Sequence, residues 1–87
     1  RQGVSVARVI LSSALCRPFT GDIEEIEVEA ANIRQMIRSL DARFRGFGDF
    51  IDQRMAIAIN GTIYQNAWGQ PLAEDSEVYL IPRIAGG

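Results

Sequence analysis

The chain has 87 residues, 47% of them hydrophobic, with nine basic and 11 acidic side chains and a formal charge of −2. This length supports one core, so one domain over residues 1–87 is expected, and no apolar run approaches the roughly 18 residues of a membrane span. With no secretory leader and no basic excess, the composition points to a soluble, cytoplasmic protein without an electrostatic footprint for membrane or nucleic acid.

Two absences narrow the chemistry. There is no histidine, which removes Ser-His-Asp and Cys-His nucleophile systems and the commonest metal ligand; with Cys16 as the single cysteine, no metal site is expected. All nine basic residues are arginine, so no Schiff base can form on this chain and no side-chain amine is present for isopeptide bonds. Cys16 has no basic partner in the sequence pattern and reads as an ordinary unpaired thiol.

In chain order, residues 6–13 alternate as a first strand, with Ala7, Val9 and Leu11 inward, Arg8 outside and Ile10 on the opposite face. Residues 17–22 gather Pro18, Gly21 and Asp22, the composition of a reversing loop. Residues 23–29 read as a second strand, Ile26 and Val28 facing in and Glu25, Glu27 and Glu29 facing water, typical of an antiparallel edge. Asn32 then caps a helix with Gln35 at capping-box spacing, and Ile33, Met36, Ile37, Leu40 and Phe44 form its apolar stripe. Gly46 is the natural stop after Arg43 and Arg45. Arg34 and Arg38 share an exposed helix face, either a solvated charge row or a docking patch.

Residues 47–52 are expected to be a loop with Phe50 and Ile51 tucked under the helix end. Met55, Ile57 and Ile59 alternate with Ala56 and Ala58 as a third strand; Asn60-Gly61 supplies a type I′ turn, and Thr62, Ile63 and Tyr64 return. Trp68 belongs to a loop and reads as a lid on the core edge or an anchor for a partner. The last strand, around Val78, Tyr79, Leu80 and Ile81, reads as central and covered on both faces, with Pro82 leading the chain out of the sheet. Ala85, Gly86 and Gly87 follow, a narrow, flexible tail able to thread a tight tunnel and carrying an α-carboxylate. A hairpin, a covering helix, a second hairpin and a final strand give an α+β fold.

Asn60-Gly61, Pro71-Leu72, the acidic turn Glu74-Asp75-Ser76-Glu77, Val78, Pro82 and Gly86-Gly87 together resemble the ubiquitin-like sulfur carriers of the molybdopterin synthase small-subunit and thiazole-pathway type. The resemblance covers most of the chain, and its specific part lies in the last third. Asp75 stands where that family usually has glycine, and Arg83 where a second proline is common. The resemblance implies a β-grasp (ubiquitin-like) fold, a mixed five-stranded sheet packed on one main helix with strands one and five parallel in the middle. It implies that an E1-like adenylyltransferase, using ATP and magnesium, adenylates the Gly87 carboxylate, and that a sulfur donor then converts it to a thiocarboxylate. The sulfur would pass to an acceptor enzyme such as the large subunit of molybdopterin synthase. No cofactor would be bound by this chain, which would not be catalytic alone. Ala85 and Gly86 would thread the partner's tunnel, and Tyr79, Ile81 and Arg83 would contact the activating enzyme. The alternatives are a ubiquitin-like protein modifier and a β-grasp interaction module with an inert tail.

Overall fold

A computed structural model describes residues 6–11, 14–64 and 67–83. Five strands, β1 (Val6–Ile10), β2 (Glu25–Glu29), β3 (Met55–Ile59), β4 (Thr62–Tyr64) and β5 (Glu77–Pro82), form one sheet in the order β2-β1-β5-β3-β4. β1 and β5 are parallel at its centre, and the pairs β1/β2, β3/β4 and β3/β5 are antiparallel. This is the β-grasp arrangement. Helix α2 (Ile33–Arg43) covers one face and buries Ile33, Met36, Ile37 and Leu40 against Val9, Val28, Val78 and Leu80.

The helix begins where the sequence places it. Asn32 accepts a hydrogen bond from the Gln35 amide at 2.9 Å, and Gln35 reaches back to accept from the Ala31 amide, one residue earlier than an ideal capping box. The remaining free amides of the first turn go to the loop before β5: Ile33 donates to the Gln70 carbonyl and Arg34 to that of Trp68. The loop thus satisfies donors that would otherwise need water.

Two segments expected as loops are helical. Residues 17–22 contain α1 (Arg17–Thr20), entered from a 3-10 turn at Ala14–Cys16 with Pro18 in its first turn and Gly21 ending it at φ 63°. Proline is tolerated in a first turn, whose amide has no intrahelical acceptor. Residues 47–52 lie in α3 (Phe47–Arg54), where burial of Phe47 and Ile51, one turn apart, outweighs the low helix propensity of Gly48. All four phenylalanines meet here: Phe19 lies 5.0 Å from both Phe47 and Phe50, and Phe44 meets Phe47 edge-on at 6.0 Å.

Other expectations shift by a residue or a face. β2 starts at Glu25, leaving Ile23 exposed. Asn60 and Gly61 take φ 49° and 90°, as a type I′ turn requires. β5 is central but open on one face, because the helices lie on the other. Pro82 does not leave the sheet; it is the last β5 residue, opposite Met55. Arg83 donates its amide to the Arg54 carbonyl at 2.9 Å, so by strand alternation the Pro82 nitrogen faces away from β3, towards the side where β1 pairs β5 only as far as Tyr79. No ladder donor is lost there. Among the described residues no helix is long and apolar enough to cross a membrane.

Candidate functional site

The open face is built by strand alternation. Val78 and Leu80 point to the helix side and are buried, so Tyr79 and Ile81 of the same strand point away from it. The registers Glu25–Ile10, Ile10–Tyr79, Tyr79–Ala58 and Ala58–Ile63 align one row across all five strands. Its apolar members form a patch in which Tyr79 is 39% and Ile63 60% exposed. Ile81 extends the patch toward the carboxyl end, opposite Ala56. The small side chains of Ala56 and Ala58 leave Tyr79 and Ile81 standing above their neighbours.

A charged border flanks the patch. Arg8 on β1 pairs with Glu25 on β2 at 2.9 Å and Glu77 on β5 at 3.3 Å, all three side chains about half exposed. Exposed pairs of this kind are worth at most about 1 kcal/mol, so their main effect is to orient the row.

Arg83 does not share the face of Tyr79 and Ile81. Its guanidinium donates to the Met55 carbonyl at 3.2 Å, at the carboxyl end of α3, and lines a groove of about 290 Å³ with Met55, Ile57, Asp52 and Trp68. Backbone and side chain of Arg83 together pin the chain at the α3–β3 junction, just before Ile84. Ala85, Gly86 and Gly87 lie outside the described residues. Across the groove the Trp68 indole donates to Asp52 at 3.0 Å, and Arg34 sits 5.9 Å from the centre of the Trp68 ring. Trp68 is therefore a half-buried lid, and Arg34 is a cation–π partner rather than a member of a plain charge row.

Little else on the described chain is equipped for chemistry. The Cys16 thiol is buried, and burial pushes its pKa up, so at neutral pH it is a thiol and not a thiolate. Among the described residues no group of three or more cysteine, aspartate or glutamate side chains could hold a metal. The described residues offer an open, partly apolar sheet face and a chain held at Arg83 by its backbone and side chain. Sequence reading missed Ile63 and Ile10 as members of the open face; for Ile10 the signal was its place between buried Val9 and Leu11, whereas Ile63 joins the row only through the pairing of β4 with β3.

The sequence pattern of the ThiS family matches residues 13–87, which takes in the last four strands, all the helices and Gly86-Gly87. The chain belongs to the ThiS family. Membership places it among the ubiquitin-like sulfur-carrier proteins. Solved structures share the fold at low identity. The small archaeal modifier protein 1 of Methanosarcina acetivorans is 17% identical over 97% of this chain and 98% of that one, with a TM-score of 0.76. In the BexX/CysO complex of Amycolatopsis orientalis the matched chain is 16% identical, over 93% of this chain and 99% of that one, with a TM-score of 0.79. In the complex of molybdopterin-converting factor subunits 1 and 2 from Helicobacter pylori 26695, the matched chain is 20% identical, over 94% and 99%, with a TM-score of 0.65. No curated protein matches the sequence. At these identities the solved structures establish the ubiquitin-like β-grasp fold of this ThiS-family chain, and the family is carried by the sequence match.

Proposed function

We propose that this chain is a sulfur carrier whose Gly87 carboxylate is adenylated by an E1-like activating enzyme and converted to a thiocarboxylate, with molybdopterin formation as the pathway served. The ThiS-family match running through Gly86 and Gly87 carries the reading. A carboxylate oxygen of Gly87 attacks the α-phosphorus of ATP, held with magnesium by the partner, and pyrophosphate leaves. A sulfide-level donor then attacks the acyl carbon and displaces AMP. The thiocarboxylate ionises more readily than a thiol, so it needs no base from a chain that has no histidine. Tethering raises its effective concentration at the acceptor, here a partner of the molybdopterin synthase large-subunit type.

The open face supports the docking half of the proposal. Tyr79 and Ile81 present an apolar surface on the strand that leads to the tail, and aromatic and arginine groups are common interface anchors. Arg83 sets the point from which Ala85, Gly86 and Gly87 enter the partner's tunnel. A protein-modifier reading is the second possibility, favoured by the likeness to the small archaeal modifier protein.

Incubation with an activating enzyme, ATP and a sulfide source separates the two. A carrier gains the mass of one sulfur-for-oxygen exchange, whereas a modifier yields larger conjugates. Extending the chain past Gly87 replaces the carboxylate by an amide and should abolish ATP–pyrophosphate exchange. Undiminished exchange by the extended, untrimmed chain would overturn the proposal.

A further inference from the structure

The sheet has two edges, and β2 forms one of them, paired among the described residues with β1 alone. The register determines which of its backbone groups face outward. Leu11 donates its amide to the Glu24 carbonyl at 2.7 Å, so the hydrogen-bonded pairs continue as Val9–Ile26 and Ala7–Val28. The amides and carbonyls of Glu25 and Glu27 occupy the alternate positions and point away from β1 to the free edge. Beside that edge, between β2 and α2, runs an open groove of about 560 Å³ lined by Glu27, Val28, Glu29, Ser39, Ala42 and Arg43.

Charge sets what this edge accepts. The Glu25 and Glu27 side chains project to the open face and are exposed; Glu25 is engaged by Arg8, and Glu27 has no ion pair among the described residues. We propose that β2 is a strand-addition site for an extended segment of a partner protein in which basic and apolar residues alternate. Added antiparallel, the more stable pairing per residue, such a segment places basic side chains across from Glu25 and Glu27 on the open face. Its intervening apolar side chains, opposite Ile26 and Val28, turn to the helix side and enter the groove against Val28 and Ala42. The main chain supplies affinity and the alternation supplies selectivity. A second copy of this chain is disfavoured, because its own β2 would set glutamate against glutamate, the usual device by which edge strands avoid self-pairing. The site lies at the sheet edge remote from the α3–β3 junction, and the inference does not rest on the sulfur-carrier reading.

The test is titration of the isotope-labelled 87-residue chain with a short end-blocked peptide alternating arginine and valine, and with a twin alternating glutamate and valine. The expected result is slowed amide exchange at Glu25 and Glu27, with shift changes along β2 and at Ser39, Ala42 and Arg43, weakened by salt and absent with the acidic twin. Glu27→Arg should weaken binding about five- to tenfold, through loss of one cross-strand attraction and gain of a repulsion. Glu27→Pro removes an outward donor without touching the Val9–Ile26 and Ala7–Val28 pairs, and should abolish the protection; if that variant does not fold, Glu27→Arg carries the test. Equal binding of both peptides, shifts centred on Tyr79 and Ile63, or unchanged exchange at Glu25 and Glu27 on saturation would each overturn the proposal.

Discussion

Asp75 holds φ 64° in the turn before β5, a left-handed conformation that costs an L-residue about 1–2 kcal/mol, less for aspartate than for most. Its amide donates to the Val6 carbonyl at 2.9 Å, a bond that glycine would keep. Asp75→Gly should therefore raise stability by about 0.5 kcal/mol after the entropy of the unfolded glycine is subtracted, whereas Asp75→Val should lower it by more than about 1 kcal/mol. Urea unfolding midpoints decide the matter. Cys16 makes a second prediction at this scale. Its folded pKa is raised by burial, so above the ordinary thiol range the unfolded chain releases a proton that the folded chain keeps. Stability from this group is complete below the unfolded thiol pKa and falls as pH rises beyond it. Cys16→Ala should flatten that alkaline decline in the unfolding midpoint.

Helix α3 follows a residue that cannot cap it, because Gly46, at φ 87°, has no side chain. The cap comes from another helix: Asp41 of α2 accepts a hydrogen bond from the Gly48 amide at 2.9 Å. An N-terminal cap is worth about 1 kcal/mol, so Asp41→Ala should cost about that much and Asp41→Asn, which keeps the acceptor, much less. Hydrogen exchange should show the loss concentrated at the start of α3. Gly48 leaves room for the same contact: a Cβ there would lie 3.1 Å from the Asp41 carboxylate, which would have to give by a few tenths of an ångström. Gly48, of low helix propensity, thus serves a close approach of two helices.

At the scale of the whole molecule, the core and the face proposed for docking lie on opposite sides of the sheet, so substitutions should separate the two. Leu80→Ala empties a buried site and should cost about 2–5 kcal/mol. Tyr79→Ala, on the next residue but the open face, should cost about 1 kcal/mol or less while slowing adenylation by the activating enzyme. Ile63→Asp, at the far end of the same row, should leave stability within about 0.5 kcal/mol and slow adenylation as well. Thermal unfolding alongside pyrophosphate exchange distinguishes the two roles; a lost thermal transition in Tyr79→Ala would place that side chain in the core.

Local pattern by itself determined most elements. The Asn32 cap, the stripe of Ile33, Met36, Ile37 and Leu40, the alternation in β1, β2 and β3, and the Asn60-Gly61 turn each depend on neighbours within a few residues and are all present, although β1 ends at Ile10, β2 starts at Glu25 and Phe44 falls just past the end of α2. The family was legible too, in the acidic turn, Pro82 and Gly86-Gly87. Tertiary structure decided what no window contains. Contacts among four phenylalanines, Phe47 buried and the other three partly so, hold α1 and α3 together despite Pro18 and Gly48. Coverage of only one sheet face left Tyr79 exposed, and a nitrogen turned away from β3 kept Pro82 in its strand. Strand order, a property of contacts distant in sequence, aligned Ile10, Tyr79 and Ile63 in one row, because side-chain alternation states that a residue has two faces and only packing selects which one is covered.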